Sequence, residues 1–203
     1  MARQAFPVVL SAPSGTGKTT LAHLLVDSMS NLQISVSYTT RPMRGHERNN
    51  EDYHFVDAAE FNAMIKRNAF LEWAVVHGHQ YGSSEEWTQQ KLDEHKDVLF
   101  DIDVQGGLQI KKRFPKAVLI FILPPSMEEL ESRLRGRGTD PDDTIAERLK
   151  DARQEIRIGL DQYDYVINNE KLDRALFDLT AIVRTHRLLG FDRDKIRMKL
   201  LGE

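Results

Sequence analysis

Apolar positions along this chain recur at two spacings. Val8-Val9-Leu10 is apolar throughout and predicts a buried strand, while Thr19–Met29 carries Leu21, Leu24 and Leu25 on one side and predicts a helix. Strand, glycine-bearing loop and helix together open an α/β unit. Gln33–Tyr38 alternates Ile34 and Val36 with polar neighbours and reads as one extended segment. Asp52–Val56 and Glu72–Val76 are further extended segments around a helix at Ala58–Arg67, and Ser84–Glu94 predicts another helix. Val98–Asp103 (VLFDID) and Val118–Leu123 (VLIFIL) return to the buried-strand pattern, the second reading as a central parallel strand stopped by Pro124-Pro125. Ser126 and Glu129 are spaced as a helix-capping box. Arg133–Asp143 is charged and predicts an exposed, mobile stretch. Thr144–Ile158 then predicts a helix and Tyr163–Ile167 a strand, and Leu172, Leu176, Leu179 and Val183 mark the buried side of a last long helix.

The loop after the first strand reads Ala12-Pro13-Ser14-Gly15-Thr16-Gly17-Lys18-Thr19. It matches the phosphate-binding pattern G-x-x-x-x-G-K-[ST] except at its first glycine, which is Ala12. Such a loop turns successive backbone N–H groups inward around phosphate oxygens, and Gly15 and Gly17 permit that path. Lys18 reaches the outer phosphates, the Thr19 hydroxyl can ligate Mg²⁺, and the following helix directs its N-terminal amides at the anion. Ala12 is compatible with the cradle provided its φ is ordinary. ATPases, GTPases and small-molecule kinases share this device. The sequence has no N-K-x-D loop for reading guanine in the manner of a GTPase.

A second phosphate site is suggested by SYTTRPMRGHERNNEDYHF, which gathers Ser37, Arg41, Arg44 and Tyr53. Two guanidiniums can grip one phosphate, with Ser and Tyr hydroxyls completing the shell. The alternative for this stretch alone is a solvated basic loop. Further on, Glu72 and Ser83 flank Tyr81. A carboxylate accepts hydrogen bonds, and guanine offers an N1–H and an exocyclic amine where adenine has no N1–H, so Glu72 with Ser83 suits guanine if the two converge.

Composition narrows the class. The 203 residues are 40% hydrophobic, enough for one core with a smaller lobe, and the net charge of −3 weighs against a general nucleic-acid binder. With no cysteine, thiolate metal sites and cysteine nucleophiles are excluded. The apolar run near the N-terminus is too short for a signal peptide and none nears the roughly 18 residues of a membrane span, so a cytoplasmic protein is expected. Trp73 and Trp87 are expected to be packing residues rather than base-stacking platforms, and the basic tail from Arg184 to Lys199 to form a solvated helix face.

Taken in order, the blocks APSGTGKTTL, SVSYTTRPMRGHE, DYHFV, FLEWAVVHGHQYGS, VLFDIDVQGG, IFILPPSMEELESRLRGRGTD and YDYVINN resemble the guanylate kinases, the bacterial type most closely, over about residues 6 to 190. The resemblance implies Mg²⁺-dependent transfer of the γ-phosphoryl group of ATP to GMP, with dGMP as a further acceptor. It implies an α/β, P-loop NTPase three-layer fold with a parallel central sheet. Core segments would be 1–36, 96–125 and 159–203, a GMP-binding lobe 37–95, and a lid with flanking helices 126–158. ATP would be held by Ala12 to Thr19 with Arg133, Arg137 and Asn168, and GMP by Ser37, Arg41, Arg44, Tyr53, Glu72, Tyr81, Ser83, Asp101 and Asp103. Lys18, Arg41, Arg137 and Arg148 would surround the transferring group, with Thr19 and Asp103 on the metal. The expected partners are these small substrates, with no membrane and no nucleic acid, in a monomer or homo-oligomer. The sequence departs from the family pattern at Gly45-His46, Asn50, Trp73, His79 and Asn169, where an Asp is common.

Overall fold

The computed structural model describes residues 3–45, 47–136, 141–191 and 193–202. In chain order the elements are β1 (Pro7–Ser11), α1 (Lys18–Ser28), β2 (Leu32–Ile34), β3 (Tyr38–Thr39), β4 (His54–Phe55), α2 (Ala58–Lys66), β5 (Phe70–Val76), β6 (His79–Ser84) and α3 (Glu85–Asp93). They continue with β7 (Asp97–Asp101), α4 (Val104–Arg113), β8 (Val118–Leu123), α5 (Met127–Gly136), α6 (Asp142–Gln162), β9 (Tyr165–Asn168), α7 (Leu172–Leu189) and α8 (Arg193–Leu201).

A five-stranded sheet has the order β2-β7-β1-β8-β9, with every pair parallel. Its central strands β1, β7 and β8 are apolar through their middles because helices cover both faces. Successive side chains point to opposite sides, and the core divides accordingly. Val8, Leu10, Leu99, Ile120 and Ile122 meet Leu21 and Leu25 of α1 and Leu179 and Val183 of α7. Val9, Phe100, Leu119 and Phe121 meet Val104 and Ile110 of α4, with Ile156 of α6 and Trp87 of α3 packed against them. This is the three-layer α/β architecture. Among the described residues no helix is long and apolar enough to cross a membrane.

A second, four-stranded sheet, β4-β3-β6-β5, forms the lobe over a small core of Phe61, Met64 and Phe70. The segment read as one strand, Gln33–Tyr38, is therefore two: β2 pairs with β7 in the large sheet, and β3 pairs with β6 in the small one. The chain passes between sheets at Ser35–Ser37, with Ser35 N donating to Leu99 O at 2.8 Å.

Several further expectations are corrected. α4 falls in a stretch for which the hydrophobic pattern gave no expectation, and it forms despite the low helix propensity of Gly106 and Gly107. The segment expected to be exposed from Arg133 onward begins inside α5, where Leu134 is buried with Leu130, Ile145 and Ala152. Leu172 is 42% exposed, and Ala175 takes the buried position at the start of α7. Trp73 lies in β5 with 40% exposure. Arg187, expected on a solvated face, instead donates to buried Asp97 at 2.8 Å and to Ser30 O at 2.9 Å.

Candidate active site

The loop from Ala12 to Thr19 emerges at the carboxyl end of the central strand β1, the usual ligand edge of an open parallel sheet. Gly15 and Gly17 have φ of +94° and +95°, whereas Ala12 is not among the residues with positive φ, so the missing glycine leaves the path of the loop intact. Helix α1 begins at Lys18 with no side-chain cap and no acid in its first turn, leaving its amides open to an anion. The loop is held from three sides. Asn169 Nδ2 donates to Thr16 O at 2.8 Å, Arg133 donates to the same oxygen at 3.4 Å, and a Cβ on Gly15 would lie 3.2 Å from Leu134 of α5. The Thr16 hydroxyl is fully buried and has no hydrogen-bond partner among the described residues.

Two acids stand at the end of β7. Asp101 forms an ion pair with Lys18 and accepts from the Thr19 hydroxyl at 2.7 Å, while Lys18 Nζ also donates to Ile102 O at 2.9 Å. Asp103 caps α4, accepting from Gly106 N at 3.0 Å. The two acids thus face different partners, although they are only two residues apart.

On the lobe, Arg41 is buried and held by Glu47 through two hydrogen bonds of 3.0 and 2.7 Å, with the Tyr53 ring 5.2 Å beneath it. Glu47 raises the Arg41 pKa further above its ordinary value, against the effect of burial, and is itself lowered by Arg41. Arg44 is exposed, and its backbone N–H donates to Glu47 at 2.7 Å. Tyr53 and Tyr81 lie edge to face at 6.0 Å, and burial with nearby Asp101 pushes the Tyr53 hydroxyl up to about 12. A cavity of about 180 Å³ brings the two halves together, lined on the loop side by Thr19 and Asp101 and on the lobe side by Ser37, Tyr53 and Glu47.

Glu72 and Ser83 do converge. They are cross-strand neighbours on β5 and β6, and the Ser83 hydroxyl donates to Glu72 Oε1 at 2.6 Å. The register shifts between Phe70 and Glu72, and this bulge allows Phe70, Leu71 and Glu72 all to be buried in succession. Burial pushes the Glu72 carboxyl up to about 7, against the hydrogen bond from Ser83.

A sequence profile of the guanylate kinase family matches residues 4–186. The chain belongs to the guanylate kinase family. It is 52% identical over 181 residues to a guanylate kinase of Aromatoleum aromaticum, covering 89% of this chain and 88% of that protein. It is 52% identical over 195 residues to one from Dechloromonas aromatica, covering 96% of each. The crystal structure of guanylate kinase from Anaplasma phagocytophilum superposes with a TM-score of 0.77 at 34% identity, covering 91% of this chain and 87% of that one.

Within this guanylate kinase frame the remaining expected residues are distributed as follows. Arg148 lies half-buried on α6, and Asn168 ends β9 with an exposed side chain. Arg137 and His46 fall outside the described residues. Three contributors escaped the sequence reading: Glu47, which holds Arg41; Asn169, noted only as a departure; and Glu155 on α6. Burial pushes Glu155 up to about 7, with Lys18 and Asp103 close enough to act on its charge. Nothing in local spacing marks these residues, since each is defined by what it meets across the fold.

Proposed function

We propose that this guanylate kinase transfers the γ-phosphoryl group of ATP to GMP, and to dGMP, giving ADP and GDP with Mg²⁺. The observation that carries the reading is the cavity shared by Thr19 and Asp101 with Ser37 and Tyr53, which sets a phosphate cradle against a phosphate-acceptor lobe. Phosphoryl transfer needs in-line placement and positive charge around the equatorial oxygens more than covalent help. Lys18 and Arg148 supply that charge on the donor side, and Arg41 with Arg44 on the acceptor side; the family resemblance adds Arg137 to this set. A phosphate acceptor oxygen is already ionised, so no protein base is required. Ser37, Tyr53 and Tyr81 complete the acceptor phosphate shell, and Glu72 with Ser83 reads the base.

The donor set fits Mg²⁺. Thr19 and Asp101 offer hard oxygens one hydrogen bond apart, and this ion is ordinarily held by one or two protein oxygens together with water and substrate phosphates. Geometry favours Asp101 over Asp103 as the partner of Thr19, since Asp103 is engaged as the α4 cap. When bound, the ion neutralises charge on the outer phosphates.

Measuring ADP release with GMP, dGMP, AMP and UMP as acceptors tests the reading. GMP and dGMP are expected to turn over far faster than the other two, and GMP turnover no faster than that of AMP overturns it.

A further inference from the structure

Helix α4 belongs to the large domain, yet it touches the base-reading strand of the lobe at consecutive positions. A Cβ on Gly106 would lie 2.5 Å from Glu72 Oε2 and 3.2 Å from Asp103 Oδ1, so only glycine admits the Glu72 carboxylate to the first turn of this helix. Three residues on, Gln109 pairs with the backbone of Trp73: its Nε2 donates to Trp73 O at 2.9 Å and its Oε1 accepts from Trp73 N at 3.3 Å. β5 is an edge strand of its sheet, and the Gln109 amide satisfies part of that open edge as a further strand would. Leu71, on the bulge, packs into the cluster that holds Val104 and Ile110 of α4. Leu71, Glu72 and Trp73 are thus each fixed to the same helix, by packing, close approach and hydrogen bonds respectively.

That arrangement separates two parts of the lobe. Glu47, Tyr53 and their loop meet the large domain across a cavity, whereas Glu72 is seated on it directly. A carboxylate that distinguishes bases by the direction of its lone pairs gains from such seating, because small displacements of a reading group cost much of its discrimination.

We propose that Gly106 and Gln109 are specificity-positioning residues, which hold Glu72 in the orientation that reads the acceptor base. The proposal rests on Glu72 being the base-reading group. It makes α4 a common mount, with Asp103 at its N-cap, Gly106 under Glu72 and Gln109 on the backbone beyond.

The test compares GMP with inosine monophosphate, which lacks the exocyclic amine, in the full-length enzyme. Gly106→Ala is expected to raise the KM for GMP about tenfold, as for coupled neighbours, while kcat and the KM for ATP stay within about twofold. The preference for GMP over inosine monophosphate is expected to fall, and in a Glu72→Gln background Gly106→Ala is expected to add nothing further. Gln109→Ala is expected to move the same preference in the same direction, and it carries the test should Gly106→Ala not fold. An equal loss in both backgrounds, or an equal rise in the KM for ATP, overturns the positioning role. A full preference for GMP in Glu72→Gln alone overturns the base-reading role of Glu72, and the proposal with it.

Discussion

The Thr19 hydroxyl donates to Asp101 Oδ2 at 2.7 Å, joining the first turn of α1 to the end of β7 across two neighbouring strands. If this pair holds the metal, Asp101→Asn weakens it by removing one charged ligand. The Mg²⁺ concentration giving half-maximal activity is expected to rise about 10- to 100-fold, with activity partly restored at high Mg²⁺. An unchanged Mg²⁺ titration alongside a fall in kcat would instead assign Asp101 to holding Lys18, with which it forms an ion pair.

Lys18→Met removes the one cation of the phosphate loop without disturbing its glycines. Loss of a charge that stabilises the transferring group costs about 10³-fold or more in kcat. The folded chain is expected to survive, since Lys18 lies at the edge of the site and not among the buried apolar residues. Turnover of GMP by the variant within tenfold of the parent would refute the cradle assignment.

Glu72 makes acceptor binding depend on pH. With its carboxyl raised to about 7, it carries a proton in more acidic solution and loses the acceptor strength that an N–H edge requires. The KM for GMP is therefore expected to climb as pH falls below 7, by about tenfold for each unit once the ionised fraction is small. The phosphate of GMP also titrates near 6, so the comparison is with Glu72→Gln, which should lose the part of the slope belonging to Glu72. The stability of the protein alone moves consistently. A folded carboxyl raised above its ordinary 4.5 keeps a proton that the unfolded chain has released, so stability falls as pH rises from about 4.5 to 7 and is level above. Glu155, also raised to about 7, adds to the same fall. Glu155→Gln is thus expected to raise Tm at pH 8 and leave it unchanged at pH 4.5. A Tm gain of equal size at both values would contradict the raised carboxyl.

The parts of this architecture legible in sequence are those whose cause is local or continuous. VLIFIL is strand β8 to the residue, because a strand covered on both faces is apolar at every position. The phosphate loop declared itself by its glycines and its lysine. What stayed hidden was set by neighbours distant in sequence. Helix α4 holds adjacent glycines, and both admit foreign side chains: Glu72 at Gly106 and the Tyr163 hydroxyl at Gly107. The break between β2 and β3 was invisible because alternation continues through it while the partner strand changes. Glu72 and Ser83 were recognised as a pair, but the bulge that turns Glu72 inward leaves no mark in composition.

The two glycines of α4 predict opposite consequences for the two substrates. Tyr163 donates to Ser11 Oγ at 2.7 Å, at the root of the phosphate loop, and lies over Gly107. Gly107→Ala would drive a methyl group into that hydroxyl and into Val9, whose Cγ1 is 3.2 Å from the Cβ position. Overpacking of this kind costs about 1–3 kcal/mol, and the KM for ATP is expected to rise while the choice between GMP and inosine monophosphate is kept. Tyr163→Phe in the same chain should recover part of the loss. A loss of acceptor choice without a change toward ATP would show that Gly107 does not act through Tyr163.

Far from the site, Asp97 decides how firmly the other end of the large sheet is closed. Its carboxylate is fully buried, accepts from Phe6 N at 3.2 Å, and pairs with Arg3 at 2.5 Å and Arg187 at 2.8 Å. It thereby ties the N-terminal segment, the start of β7 and the end of α7 at one point. Replacing a buried pair by apolar groups can be neutral, but removing one partner strands the others, at about 3–5 kcal/mol. Asp97→Ala leaves two guanidiniums facing an apolar gap, so urea unfolding should show a loss of that size and Tm should fall by about 10 °C. Arg187→Ala should cost less, because Arg3 still neutralises the acid. Since Asp97 begins β7 and the site lies beyond its end at Asp101, kcat at 25 °C is expected to be unchanged for both variants. A loss below about 1 kcal/mol for Asp97→Ala would mean that the two arginines find water when the acid is gone, and that this end of the sheet is open rather than sealed.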